Sequence, residues 1–205
     1  MTGVSAAVAE SPSAAGPAGL TIPPFQMIWR NGLVMIAILF ALVVAAIAYN
    51  HVWPLTFLHV GFGAAWTVID LYAGLLIGPI VARMPVQARL EFLTRFMPKM
   101  LLLMPAVVTV TLAAGWQLGV LQGTVLSSYP HHAWTVASYI VVAVIAVVSL
   151  GMLSPANLGV LFELKKPRPN PAVVERLTKR FIYCARIIGI LQLGILLIMT
   201  RLATF

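Results

Sequence analysis

The sequence predicts an all-α integral membrane protein, a bundle of about five transmembrane helices with a short amphipathic interfacial helix. Three observations carry this expectation. Of 205 residues, 61% are hydrophobic and only 9% are charged, whereas a soluble domain carries about 25% charged residues. The apolar residues fall into five runs, each near the roughly 20 residues that a helix needs to cross a bilayer. The Lys and Arg residues collect in alternate connections between those runs, as the positive-inside rule describes.

Residues 1–24, MTGVSAAVAESPSAAGPAGLTIPP, hold Ala, Ser, Pro and Gly with Glu10 as the single charge. Such a composition buries too little apolar surface to order itself, so a disordered tail is expected. It has neither the basic start nor the apolar centre of a secretory signal. The rest, 25–205, reads as one transmembrane domain. Trp29 and Arg30 precede a first span at about 32–49, and the break His51-Val-Trp-Pro54 opens a second at about 55–81. Residues 85–100 set Arg89, Arg95 and Lys99 against Leu90, Phe92, Leu93, Phe96 and Met97. That pattern predicts the interfacial helix, leading into a third span at about 101–121. A loop without charge ends in Tyr129-Pro-His-His132, before a fourth span at about 133–153. A basic loop with Lys165, Lys166, Arg168, Arg176, Lys179 and Arg180 precedes the fifth, at about 181–200. Continuous apolar runs without alternation argue against a β-barrel. The charge asymmetry puts the N-terminus in the cytoplasm and the C-terminus outside.

The net charge of +8 raises nucleic acid as a partner. The cations form no stripe and have no interleaved aromatics, so lipid is the expected partner and nucleic acid is not. With one cysteine, Cys184, neither an internal disulfide nor a cysteine-built metal site is available. No nucleotide-loop, zincin or nucleophile-elbow motif occurs.

Most of the chemistry lies on the second span. At 100° per residue, His59, Gly63, Trp66 and Asp70 share a face about 60° wide, and Gly74 and Gly78 extend it with GxxxG spacing. Ionisable residues inside spans are costly and face a protein interior or cavity. His59 and Asp70 lie about 16 Å apart along the axis, too far to ligate one metal. His59 reads either as a ligand or as an imidazole bonded to a neighbouring helix. Asp70 reads as an ion-pair partner of Arg186, the other strong charge inside a span, or as a proton relay. Imidazole suits haem iron, copper and zinc. His51, His131 and His132 fall at the same end as His59, and a pair such as His59 with His132 is placed to hold haem b between spans two and four. Met97, Met100 and Met104 recur at helical spacing; thioethers suit Cu(I), although such a stripe is more often packing.

The segment LHVGFGAAWTVIDLYAGLLIGPIVARM, 58–84, resembles a helix of a loose bacterial membrane group that includes CopD-type copper-resistance and HemJ-type proteins. The shared feature is a histidine, six residues and a tryptophan, here His59 and Trp66. The stretch 96–119, with Lys99, Pro105 and Gly115, is similar to the group's next helix. The resemblance implies a small bacterial inner-membrane bundle holding haem b with His59 as an axial ligand, or one linked to copper. Ile80 follows Pro79 where HemJ-type proteins carry arginine, and no lysine follows His131-His-Ala-Trp134 before Lys165. The resemblance therefore implies a haem- or copper-linked bundle rather than porphyrinogen oxidation. Three roles follow as expectations: electron transfer with a quinone or another redox partner, copper handling, and a structural subunit among other membrane subunits.

Overall fold

The computed structural model describes residues 23–26, 28–124 and 131–204, with His131 described by its backbone alone. The tail expected at 1–24 lies outside these residues except for its last two, and so do Tyr129 and Pro130. The described chain is helical, and no strand occurs in it. Five helices are long and apolar enough to cross a membrane, so the all-α membrane bundle stands.

The first span is α1, Arg30–Tyr49. Its 20 residues rise about 30 Å, the thickness of a hydrocarbon core. Asn50 ends it in the left-handed conformation, with φ 50° and ψ 47°, a backbone region that asparagine tolerates better than most residues. The second span is a continuous helical stretch in three parts: α2, Val52–Leu71, a π-helical segment, Tyr72–Ile77, and α3, Gly78–Arg83. Pro54 sits in the first turn of α2, where its missing N–H costs nothing.

The π segment follows from the position of Pro79. Gly78 N–H bonds to the Ala73 carbonyl, five residues back. The next donor in that register is residue 79, a proline with no N–H, so the Gly74 carbonyl has no backbone partner. In hydrocarbon an unpaired carbonyl costs several kcal/mol. Arg186 resolves this, donating Nε and Nη2 to Gly74 O at 3.3 and 3.0 Å.

The third span is α4, Val86–Leu121, a single 36-residue helix that runs through Pro98 and Pro105. The interfacial helix expected at 85–100 is therefore no separate element. Its apolar face packs on protein: Leu90, Leu93 and Met97 join Val160, Leu161, Val174 and Phe181 in one core cluster. The fourth span repeats the arrangement of the second: α5, His131–Val148, a π-helical segment, Ser149–Leu153, and α6, Ser154–Leu164. Ser154 N–H bonds back to Ser149 O, and Pro155 follows. The fifth span is α7, Pro171–Ala203, capped by Asn170, whose side chain accepts from Ala172 N–H at 3.0 Å. Arg176, Lys179 and Arg180, expected in a loop, lie in the first turns of this helix.

The helices pack α1 and α2 on α4, α2 and α5 on α7, and α6 on both α4 and α7. Three core clusters stack along the bundle. One lies at the basic end, built by α4, α6 and α7. A middle one gathers Trp66, Val107, Ile145 and Ile188. The third, at the histidine end, joins α1, α2 and α4. At the basic end Arg89 closes the turn between α3 and α4, donating to the carbonyls of Ala82 and Met84, and pairs with Glu175 of α7 at 3.4 Å.

An Arg186→Leu substitution should destabilise the purified protein by about 1–3 kcal/mol, the cost of a buried acceptor without a donor. Adding Pro79→Ala restores a backbone N–H to the segment, so the same Arg186→Leu change should cost less in that background. Denaturant unfolding of the four proteins in a double-mutant cycle checks this; equal costs would remove Gly74 O as the group that Arg186 serves.

Candidate functional site

The polar face of α2 divides between two seams. Toward the histidine end, half-buried His59 meets α4, and its Nδ1 lies 2.9 Å from the Thr111 carbonyl oxygen. A carbonyl only accepts, so Nδ1 carries the hydrogen and a neutral ring leaves its lone pair on Nε2. Among the described residues His59 has no other hydrogen bond. The ring fits because residue 115 is glycine: a Cβ there would collide with the imidazole. Thr111 can offer its carbonyl to His59 and still place its own hydroxyl, which donates to Val107 O at 2.8 Å. Gly63 faces α4 as well, though a Cβ on it would meet only the Thr111 methyl, at 3.4 Å.

Toward the basic end the same face turns to α7. Buried Trp66 fills the middle cluster, and its indole N–H donates to Asp70. Asp70, only 4% exposed, also accepts from Gln192 Nε2 at 3.2 Å. The expected ion pair between Asp70 and Arg186 does not form among the described residues. The guanidinium is engaged one turn away on Gly74 O, and the acceptor that Pro79 leaves open is its physical reason for being there. Gly74 and Gly78 are packing positions. A Cβ on Gly74 would lie 2.8 Å from the Arg186 backbone, and one on Gly78 would strike Ile182. Gly189 answers from α7, where a Cβ would lie 2.8 Å from Leu71 Cδ2.

The other sequence candidates scatter. His132 is exposed at the start of α5, a helix whose main partner is α7 rather than α2, so the structure does not assemble a site from His59 and His132 between spans two and four. The side chain of His131 lies outside the description. His51 is exposed, its ring 5.6 Å from that of Tyr49. Lys99 is exposed on the bundle, with Nζ 5.9 Å from the centroid of the Trp29 ring. Met97 and Met100 pack in the basic-end cluster and Met104 against the middle one, so the methionines form no single pocket. Among the described residues no three His, Cys, Asp or Glu side chains come together as a metal-holding group.

Sequence reasoning missed Thr111 and Gln192, the partners that define the two seams. Gln192 left a signal. Val174, Thr178, Phe181, Ala185, Ile188 and Gln192, all buried, recur at alternating spacings of four and three, the stripe by which one helix packs along another. Thr111 left none, because its carbonyl rather than its side chain does the bonding.

Replacing Gly115 by Ala should drive the imidazole off Thr111 and cost about 1–3 kcal/mol, as overpacking does. Gly61, on the same helix as His59 and with open space around it, should accept Ala without loss; unfolding midpoints of the two variants test the contrast. Comparisons with protein families, with curated proteins and with solved structures return no match.

Proposed function

We propose that this protein is a bacterial inner-membrane redox subunit in which His59 Nε2 is an axial ligand of haem b. The observation that supports the reading is the hydrogen bond from Nδ1 to the Thr111 carbonyl. Metal-bound histidines almost always donate their other ring N–H to a carbonyl, a carboxylate or water, which fixes the tautomer and raises the basicity of the ligating nitrogen. His59 has that arrangement already, at a half-buried position reachable from the surface of the bundle. The donor set fits one side of the iron. Neither α4 nor α7, the helices packed most closely on α2, carries a histidine, so a second ligand to the iron would have to come from elsewhere in this chain, from another chain or from a small exogenous ligand. When bound, haem supplies a one-electron couple; this chain fixes the imidazole and holds it against α4. That open position also suits a chain that works among other membrane subunits, passing electrons to a quinone or a further redox partner.

Orientation belongs to the same reading. All of the 13 Lys and Arg residues except Arg186 and Arg201 lie in the basic half of the molecule. The positive-inside rule sets that half toward the cytoplasm, with the N-terminus inside and the C-terminus outside.

The test is an optical spectrum of the detergent-purified protein, oxidised and then dithionite-reduced, with metal analysis of the same sample. A sharp reduced α-band is expected. In His59→Ala it should fall by more than the roughly 10–100-fold loss of affinity typical of removing an outer-shell partner. An unchanged spectrum in that variant would overturn the assignment. Copper without haem would support the copper-handling role instead, and neither cofactor, in protein from haem-replete cells, the structural-subunit role.

A further inference from the structure

The α2–α7 seam holds an imbalance that its own side chains do not remove. Gln192 is 3% exposed, and its Oε1 has no hydrogen-bond donor. Beside it, Asp70 is 4% exposed and receives two N–H donors, from Trp66 and from Gln192 Nε2. An ionised Asp70 here would be a buried anion with no cation within ion-pair distance among the described residues, at a depth where that is most costly. The cluster lacks one positive charge and one donor.

The elements around it offer neither. The π segment that follows α2 has Tyr72, which is 53% exposed. On α4 no ionisable residue occurs between Met100 and Leu121, and on α1 none lies between Arg30 and Tyr49. On α7 the ionisable groups between Arg180 and Arg201 are Tyr183, which is 60% exposed, buried Cys184 and Arg186, and Arg186 is committed to Gly74 O. On α5, which also packs on α7, the ionisable residue between His132 and Val148 is Tyr139, which is 42% exposed. His59 stands about 16 Å up the same helix, bonded to α4.

We propose that Asp70 is an intramembrane proton-binding site, its carboxyl carrying a proton that it shares with the Gln192 amide. One proton meets both deficits. It cancels the charge, and it turns the carboxylate into an O–H donor for Gln192 Oε1. The existing Nε2–H···Oδ2 bond at 3.2 Å is kept, because the second carboxyl oxygen carries the proton. A metal cation fits less well. Hard cations such as calcium take about six to eight oxygens, and Asp70 with Gln192 supplies at most three.

The neighbouring arginine gives the site a way to release its proton. Once Asp70 ionises, Arg186 is the nearest cation along α7, and its present partner is a neutral carbonyl. Moving the guanidinium from Gly74 O to Asp70 exchanges a neutral acceptor for a charged one. The proton leaves as the arginine arrives, and the seam, Arg186 included, passes from one net positive charge to neutral. This inference stands apart from the haem assignment, because it uses the part of the α2 face that packs on α7 and none of the histidines.

Asp70 is the only aspartate in the sequence, so labelling the protein with carboxyl-¹³C aspartate gives a signal from this group alone. The experiment reads that signal by infrared or solid-state NMR spectroscopy of the full chain in lipid bilayers over a pH series. The expected result is a carboxylic acid at pH 7, where a solvated aspartate, ionising near pH 4, is a carboxylate. Conversion to carboxylate should come only at higher pH, and in Arg186→Gln at higher pH still. A carboxylate signal at pH 7 that persists on acidification to pH 5 would overturn the proposal. A titration unchanged in Arg186→Gln would overturn the exchange with arginine.

Discussion

The constraint on which the bundle depends is the absence of water as a hydrogen-bond partner. Inside hydrocarbon a helix must satisfy each carbonyl itself or borrow a donor from a neighbour. Pro79 removes one backbone donor just after a π turn, and the carbonyl left open belongs to Gly74. A glycine at that position exposes its carbonyl to α7 and lets the α7 backbone come close enough for Arg186 to reach it. The proline, the glycine and the arginine are thus parts of one arrangement, although 107 residues of sequence separate Pro79 from Arg186. It fixes the register of α2 on α7, and with it the pairing of Asp70 with Gln192.

The same accounting explains three of the buried threonines. Thr67, Thr94 and Thr111 return their hydroxyls to carbonyls three or four residues back on their own helices, which meets the hydroxyl's need without a partner; buried Thr178 makes no such bond. His59 cannot do this, because its ring nitrogens extend beyond its own backbone, so it bonds across to α4. The interhelical polar bonds therefore come from the few side chains too long to bond back at home. They lie on α2, α4 and α7, the three helices that carry the candidate chemistry.

How much of this was legible in the sequence differs by level. The five spans and the basic end follow from apolar run length and charge placement, which are properties of the chain alone. The face shared by His59, Gly63, Trp66 and Asp70 follows from helical periodicity and holds in the structure. The face has two neighbours, however, and periodicity does not reveal where α4 hands over to α7. Nor does it reveal that Arg186 is drawn to the Gly74 carbonyl, which leaves Asp70 with Gln192 as its partner on α7. The separate interfacial helix failed for a related reason. An amphipathic stripe shows that one side is covered, not whether lipid or protein covers it, and here α6 and α7 do so. Pro98 lies near the boundary expected between that stripe and the third span. Yet the helix continues through it, as helices within membranes do when packing neighbours support the freed groups.

Spans two and four share a local grammar that spacing alone would not expose: a π segment, then a small residue, then proline, at 77–79 and 153–155. In span two the carbonyl released by this grammar has a charged donor. In span four the residues just beyond it include Asn157, 3% exposed and with Oδ1 lacking a donor. A buried amide oxygen without a donor is costly, and two such oxygens, those of Asn157 and Gln192, occur in one small bundle. Arg186 marks what the second span gained and the fourth did not. An arginine reaches a released carbonyl only where a facing glycine lets the helices close, and Gly74 provides that on span two. The equivalent place on span four is Leu150, which is 73% exposed. The asymmetry between the two interruptions therefore lies in which way each faces: the one on span two turns into the bundle and carries its chemistry, and the one on span four turns out.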